Sequence, residues 1–124
     1  MSESILTTIK KMIGFDPEYD VFDTDLITLI NGCFSTLYQL SVGPTDQAYK
    51  ITSAANTWDE FYVGNENIES VKTYIFIKAK LMFDPPQNSF IVTAYDNQAK
   101  ELEWRLNAEC DPGWKEEVTS EEDD

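Results

Sequence analysis

The hydrophobic residues of this chain recur mainly three and four positions apart, which is the spacing of the buried face of an amphipathic helix. The pattern is strongest in three long segments, and we predict helices at 24–41, 68–84 and 89–109. A shorter segment with the same spacing, 2–13, predicts an N-terminal helix that ends at Gly14. The predicted fold class is therefore mainly α, a small helical bundle.

The first long helix carries the most regular apolar stripe. We expect Asp23 or Thr24 to open it and Gly43-Pro44 to end it, because glycine and proline often follow a helix in that order. Gly32 inside the helix lowers its stability by about 1 kcal/mol relative to alanine, so a close helix contact is expected there. The stripe consists of Leu26, Ile30, Cys33, Leu37 and Leu40.

Between the first and second long helices we predict one irregular loop or a short β segment. The segment 49–52 is the strand candidate. Thr57 and Glu60 have the spacing of a capping box, in which each side chain bonds the other residue's backbone N–H. We therefore predict a turn of helix there, with Trp58 and Phe61 folded onto the bundle.

The middle helix, 68–84, is apolar on nearly every side, so it is either central in the bundle or faces another chain. One body of this size cannot easily surround a whole helix, and the surplus apolar surface favours a subunit or partner interface through Tyr74, Phe76, Ile77 and Phe83. The alternative is burial by the first and last helices together with the loop.

The last helix follows a break at Asp84-Pro85-Pro86, and Asn88 or Ser89 is predicted to cap it. Trp104 falls off its main stripe. This side chain either packs on a loop of the same chain or forms part of the interface, and both alternatives remain open at this point.

The chain is strongly acidic, with a formal net charge of -14 over 124 residues. Residues 111–124 hold seven acids and one lysine and so carry -6 of that charge. We predict a single domain at 1–110 and a disordered acidic tail at 111–124. The alternative for the tail is a docking segment, in which Trp114 anchors and Glu116 and Glu117 meet a basic partner. Direct binding of nucleic acid is disfavoured, because such a field repels phosphates.

Catalytic chemistry finds little support in the sequence. There is no histidine, and the two cysteines form no metal-binding or disulfide spacing, so no cofactor, metal or catalytic residue is predicted and a reducing cytoplasm is the simplest compartment. Asp23 and Asp25 are better explained as acids at a helix N-terminus than as a catalytic pair. No apolar run is long enough for a membrane span, and no secretion signal is expected.

Three features together resemble a known protein family. They are VKTYIFIKAKLMFDPP at 71–86, the closing KELEWRL at 100–106, and TWDEFYVG at 57–64. In this order, over roughly residues 22–108, they are similar to the head-to-tail connector proteins, or adaptors, of long-tailed bacteriophages. The resemblance does not extend to the helix before Phe15 or to the acidic tail.

The resemblance implies a structural virion component, made in the host cytoplasm and located in the neck at the head-tail junction. Adaptors of this family are small helical proteins that form a ring, usually dodecameric, beneath the portal protein. The ring extends the DNA channel, lets DNA pass without specific binding, and receives the next connector or stopper protein. Terminal segments and the last helix commonly contact the portal. The alternative function is an acidic DNA mimic that inhibits a host nuclease, and an enzyme ranks last.

Overall fold

The computed structural model describes residues 3–44, 47–61 and 68–110. Each of the predicted helical segments is a helix, and the mainly α fold is confirmed. In chain order the helices are α1 (Ile5–Met12), α2 (Asp23–Gln39), α3 (Trp58–Phe61), α4 (Ile68–Phe83) and α5 (Ser89–Cys110).

The centre of the bundle is α4, which packs against α5, α2 and α1. This position explains why its sequence is apolar on nearly every side, since three helices pack against it. Its buried residues join those of the other helices in one continuous core. From α4 the core includes Val71, Tyr74, Ile75, Ile77 and Ala79.

The first helix ends where the sequence predicts. Ser4 caps its start, because its hydroxyl accepts a hydrogen bond from the N–H of Thr7. Gly14 has a φ of +93° and follows the last turn. The N–H of Phe15 then bonds the carbonyl of Lys10, as in a Schellman motif, and turns the chain away from the helix axis.

The second helix ends earlier than predicted. It stops at Gln39, and Ser41 takes the left-handed conformation with a φ of 68°. The N–H of Val42 bonds the carbonyl of Leu37, so a Schellman motif satisfies the helix end before Gly43 is reached. Gly43 has a different role: a Cβ at this position would lie 2.6 Å from the ring of Phe61.

The strand predicted at 49–52 is wrong, and the irregular loop is the alternative that the structure shows. Ile51 is buried in the core, yet its backbone groups bond a side chain instead of a strand. The amide of Asn31 accepts from the N–H of Ile51 at 2.7 Å and donates to its carbonyl at 3.0 Å. The asparagine on α2 thus supplies both bonds that a neighbouring strand would make.

The short helix α3 docks on α1, and Trp58 and Phe61 are buried as predicted. The N–H of Ile5 bonds the carbonyl of Asn56, and the N–H of Trp58 bonds that of Glu3. The indole N–H of Trp58 also donates to the hydroxyl of Thr8. These bonds fix residues 56–58 against the N-terminal helix.

One of the two bonds of the predicted capping box forms at the start of α3. The N–H of Thr57 donates to Oε1 of Glu60 at 3.3 Å. The N–H of Glu60 bonds the carbonyl of Thr57 and not its hydroxyl. At the start of α5, Asn88 is the cap, because its side-chain oxygen accepts from the N–H of Phe90.

Candidate functional site

Two of the predicted interface residues lie inside the chain. Tyr74 and Ile77 are each only 1% exposed, and both belong to the core that α4 forms with its neighbouring helices. They therefore do not contribute to a surplus apolar surface on the folded chain. For these two positions the structure shows the alternative of burial within the bundle.

Phe76 and Phe83 are half-buried at the edge of the same core. The ring of Phe76 meets Tyr95 of α5 edge to face, with 6.4 Å between the ring centres. Phe83 packs against Phe15 and Phe22 from the loop between α1 and α2. Both residues thus hold parts of the same chain together, and contact with another chain stays a prediction for them.

The large exposed apolar residues lie elsewhere. Trp104 on α5 is 61% exposed, Met82 near the end of α4 is 63% exposed, and Phe90 in the first turn of α5 is 84% exposed. Neither Met82 nor Phe90 is predicted from the sequence to be a surface residue. The sequence does contain a signal for Phe90, because this residue lies off the apolar stripe of the last helix. That stripe includes Ile91, Tyr95 and Leu102.

A groove of about 700 Å³ crosses one side of the bundle. Residues of α2 and α4 line most of it, and α5 contributes Glu103. The residues that line it are Asp25, Thr28, Leu29, Gly32, Cys33, Thr36, Tyr74, Lys78, Met82, Phe83 and Glu103. A hydrogen bond joins α5 to the end of α2, because the side chain of Asn107 donates to the carbonyl of Leu40.

Gly32 lies in the wall of this groove, and the close helix contact predicted there is wrong. A Cβ built on Gly32 would meet no atom within 4 Å. The glycine therefore widens the groove and does not admit a neighbouring helix of the same chain. Within the described part of the chain nothing fills the space beside it.

A polar cluster lies at the base of the groove. The hydroxyl of Tyr74 donates to Oε2 of Glu103 at 2.6 Å and joins α4 to α5. Burial, followed by this hydrogen bond, raises the pKa of Tyr74 well above its ordinary value. The ammonium of Lys78 lies 5.8 Å from the centre of the same ring, a cation–π distance.

Cys33 lies beside this cluster, and burial raises the pKa of its thiol to about 12. The thiol is therefore protonated at neutral pH and is a poor nucleophile. It acts as a small core residue, as the sequence predicts. The side chain of Cys110 lies outside the described residues.

The end of the bundle beyond the groove is aromatic and acidic. Phe15, Tyr19 and Phe22 pack on one another, and Phe22 reaches Phe83 of α4 with 6.0 Å between ring centres. The acids of this loop do not gather as metal ligands: among the residues described, no group of three or more acidic or cysteine side chains could hold an ion. Nor is any helix in those ranges both long and apolar enough to cross a membrane.

The predicted docking residues Trp114, Glu116 and Glu117 lie outside the described residues, as does the whole tail 111–124. The structure therefore does not test the tail or the proposed division of the chain at residue 110. The described site consists of the groove, the exposed side of α5 and the aromatic end of the bundle.

Comparison with known proteins decides the family. The model of the phage connector protein family matches residues 5–113, which is most of the chain and includes all five helices. The chain belongs to the phage connector protein family. The match begins before the resemblance found in the sequence, because it includes α1. No curated protein and no solved structure matches the chain.

As a phage connector protein, the chain has a structural role in the virion and interacts with portal or tail components. The family is structural and not enzymatic.

Proposed function

We propose that this connector forms a ring beneath the portal protein in the neck of the virion, at the head-tail junction. The ring extends the DNA channel and receives the next connector or stopper protein, and through it the tail. By resemblance to the adaptors of long-tailed phages the ring is dodecameric. The observation that carries this proposal is the family match over residues 5–113.

The acidity of the chain supports a role around moving DNA. With a net charge of -14, a ring of this protein repels the phosphates of DNA in its channel. Genome passage requires DNA to slide without being held. The same charge would attract basic surfaces on the portal or on the next connector, and it would speed their encounter.

A phage that cannot make this protein provides the test. We expect DNA-filled heads that carry portals but no tails, because the junction is incomplete. Adding the purified protein to such heads and separate tails should restore infectious particles. Electron microscopy of the repaired necks should show the ring on the portal, and image averaging would count its subunits.

Two outcomes would count against the proposal. Normal tailed particles made without the protein would overturn the connector role. Normal particles whose DNA is degraded on infection of a nuclease-containing host would favour the acidic DNA mimic instead. Binding of the purified protein to a host nuclease, in place of portal-bearing heads, would separate these two functions directly.

A further inference from the structure

Several of the large exposed apolar side chains lie together at one end of the bundle. The loop between α1 and α2 meets the last residue of α4 there, because the ring of Phe22 lies 6.0 Å from that of Phe83, measured between ring centres. Val21 in this loop is 64% exposed and Met82 is 63% exposed. We define the end patch as four exposed residues, Tyr19, Val21, Phe22 and Met82.

The end patch rests on a firm aromatic base. Tyr19 and Phe22 each pack on the half-buried Phe15, with ring centres 6.2 Å and 5.9 Å apart. Phe15 in turn packs on Phe83 of α4, which follows Met82 directly in the sequence. The loop is thus held against α4 while the patch itself stays exposed. Exposed apolar side chains that lie together in this way are typical of a surface that binds another molecule.

Acids flank the end patch. Residues 10–25 hold five acids and two lysines and so carry a net charge of -3. Glu18, Asp20 and Asp25 are exposed, and within the described ranges none of them is in an ion pair. The end of α4 adds no net charge, because its last lysine pairs with Asp84. A partner that covers the patch therefore needs cations around its own apolar centre.

The described part of this chain lacks a basic surface that a second copy could offer to the patch. Five of its basic side chains are already in ion pairs. The other lysines in the described ranges, Lys11, Lys50 and Lys78, belong to α1, to the loop before α3 and to α4. Two copies that met through the end patch would bring like charges together. The occupant is therefore a different protein.

We propose that the end patch docks on the portal protein, at a site that is apolar in its centre and rimmed by lysines or arginines. This inference rests on the proposed function, in which the portal is already present on the filled head when the connector arrives. The patch is complete on one copy, so a single subunit can recognise the portal before a ring exists. The acids steer the approach, and the apolar side chains supply the buried area.

Two variants test different parts of this surface. In the patch variant, Val21→Gln and Met82→Gln remove exposed apolar area. In the rim variant, Glu18→Gln and Asp20→Asn remove two charges and keep the size of the side chains. All four positions are exposed, so both variants should remain folded, and circular dichroism and thermal melting would check this.

Each variant has a matched control. Val21→Ile with Met82→Leu keeps both patch positions apolar. Glu69→Gln with Glu101→Gln removes two charges away from the end patch, in the first turn of α4 and in the second half of α5. The ion pairs of these two acids are exposed and contribute little to stability. Both controls should bind the portal like the wild type.

Binding of the purified proteins to portal-bearing heads, measured by co-sedimentation, gives the decisive comparison. The patch variant should bind about tenfold more weakly than the wild type, because it lacks the apolar anchors. The rim variant should bind about threefold more weakly at low salt, and this difference should shrink at high salt, where charges are screened.

The outcomes separate this inference from the connector role. A wild type that does not bind portal-bearing heads would count against both. If the wild type and the patch variant bind equally well, the end patch is not the docking surface, although the connector role stands. A patch variant that binds heads normally but no longer joins tails to them would assign the patch to the next connector and overturn the inference. Self-association of the free wild type that is lost in the patch variant would assign it to a second copy instead.

Discussion

The ammonium of Lys10 lies 2.8 Å from Oδ1 of Asp23 and donates at 2.8 Å to the carbonyl of Pro17. Lys10 is almost completely buried, which is unusual for a lysine. Its two bonds tie α1 to the start of α2 and to the loop that joins them. One buried cation therefore helps to hold the aromatic end of the bundle in place.

Removing the two partners of this pair should have unequal effects. Asp23→Ala leaves the Lys10 ammonium buried without its counter-ion and should lower the free energy of unfolding by about 3–5 kcal/mol. Lys10→Met should be less destabilising, because methionine keeps the apolar stem and only the buried Oδ1 of the partly exposed Asp23 would lose its ion-pair partner. Urea unfolding of both variants would measure the difference. Equal losses would show that the ion pair itself does not determine the result.

At the end of α2, substitutions at two nearby positions should change the stability of the protein in opposite directions. Ser41→Gly should stabilise the protein by about 1 kcal/mol, because glycine adopts the left-handed conformation without strain. Gly43→Ala should destabilise it, because the new Cβ would meet the ring of Phe61 and the φ of +92° is unfavourable for alanine. Thermal melting compares both with the wild type. A stabilised Gly43→Ala would show that Phe61 moves aside freely.

The stability of the protein should fall in alkaline solution. The thiol of Cys33 has an ordinary pKa of 9.0 and a folded pKa of about 12, so between these values the unfolded chain releases a proton that the folded chain keeps. This contribution is complete below pH 9 and then decreases by about 1.4 kcal/mol per pH unit. Tyr74, whose pKa is also raised, adds a further decrease above pH 10.

The variant Cys33→Ala isolates the contribution of the thiol. Its free energy of unfolding should depend less steeply on pH between 9 and 10 than that of the wild type, whatever its value at pH 8. Urea unfolding at several pH values measures the two slopes. Parallel slopes would assign the alkaline sensitivity to other groups.

The side chain of Asn31 should be essential to the loop before α3. Asn31→Ala leaves the N–H and carbonyl of the buried Ile51 without their partners, so we expect a loss of about 2–4 kcal/mol of stability. Asn31→Asp keeps the acceptor and removes the donor, so it should lose only part of that stability. Hydrogen exchange at the Ile51 amide would show whether the effect is local. Unchanged protection in Asn31→Ala would contradict this account.

The tail prediction concerns residues outside the described ranges. Deleting residues 111–124 should leave the melting temperature nearly unchanged, because an acidic segment with few apolar residues adds little to a core. It should weaken attachment to the portal or the next connector, more at low salt than at high salt. Binding to portal-bearing heads at two salt concentrations measures this. If the truncated protein still gives infectious particles at normal yield, the tail serves only to keep the protein soluble.

The long helices could be predicted from the sequence because their periodicity and their end signals agree. The predicted 68–84 became Ile68–Phe83, and the predicted 89–109 became Ser89–Cys110. The end of α2 was harder to place. A serine in the left-handed conformation ends it, and a serine carries no reliable signal for that role.

The surfaces of the bundle were less predictable, because they depend on which helices meet. The apolar character of Tyr74 and Ile77 is the same whether another helix or another chain covers them. The side-chain amide of Asn31 bonds Ile51, twenty residues away in the sequence, and no local sequence pattern predicts such a bond. The groove beside Gly32 likewise exists only once α2, α4 and α5 are placed.

The central position of α4 bears on how the protein unfolds. Since α1, α2 and α5 all pack against the same helix, detaching any of them exposes apolar surface on α4. Partial melting is therefore unfavourable at each of these contacts, and the bundle should behave as a single cooperative unit. Fragments that lack one long helix would expose an apolar face and aggregate. Stable subdomains are therefore not expected.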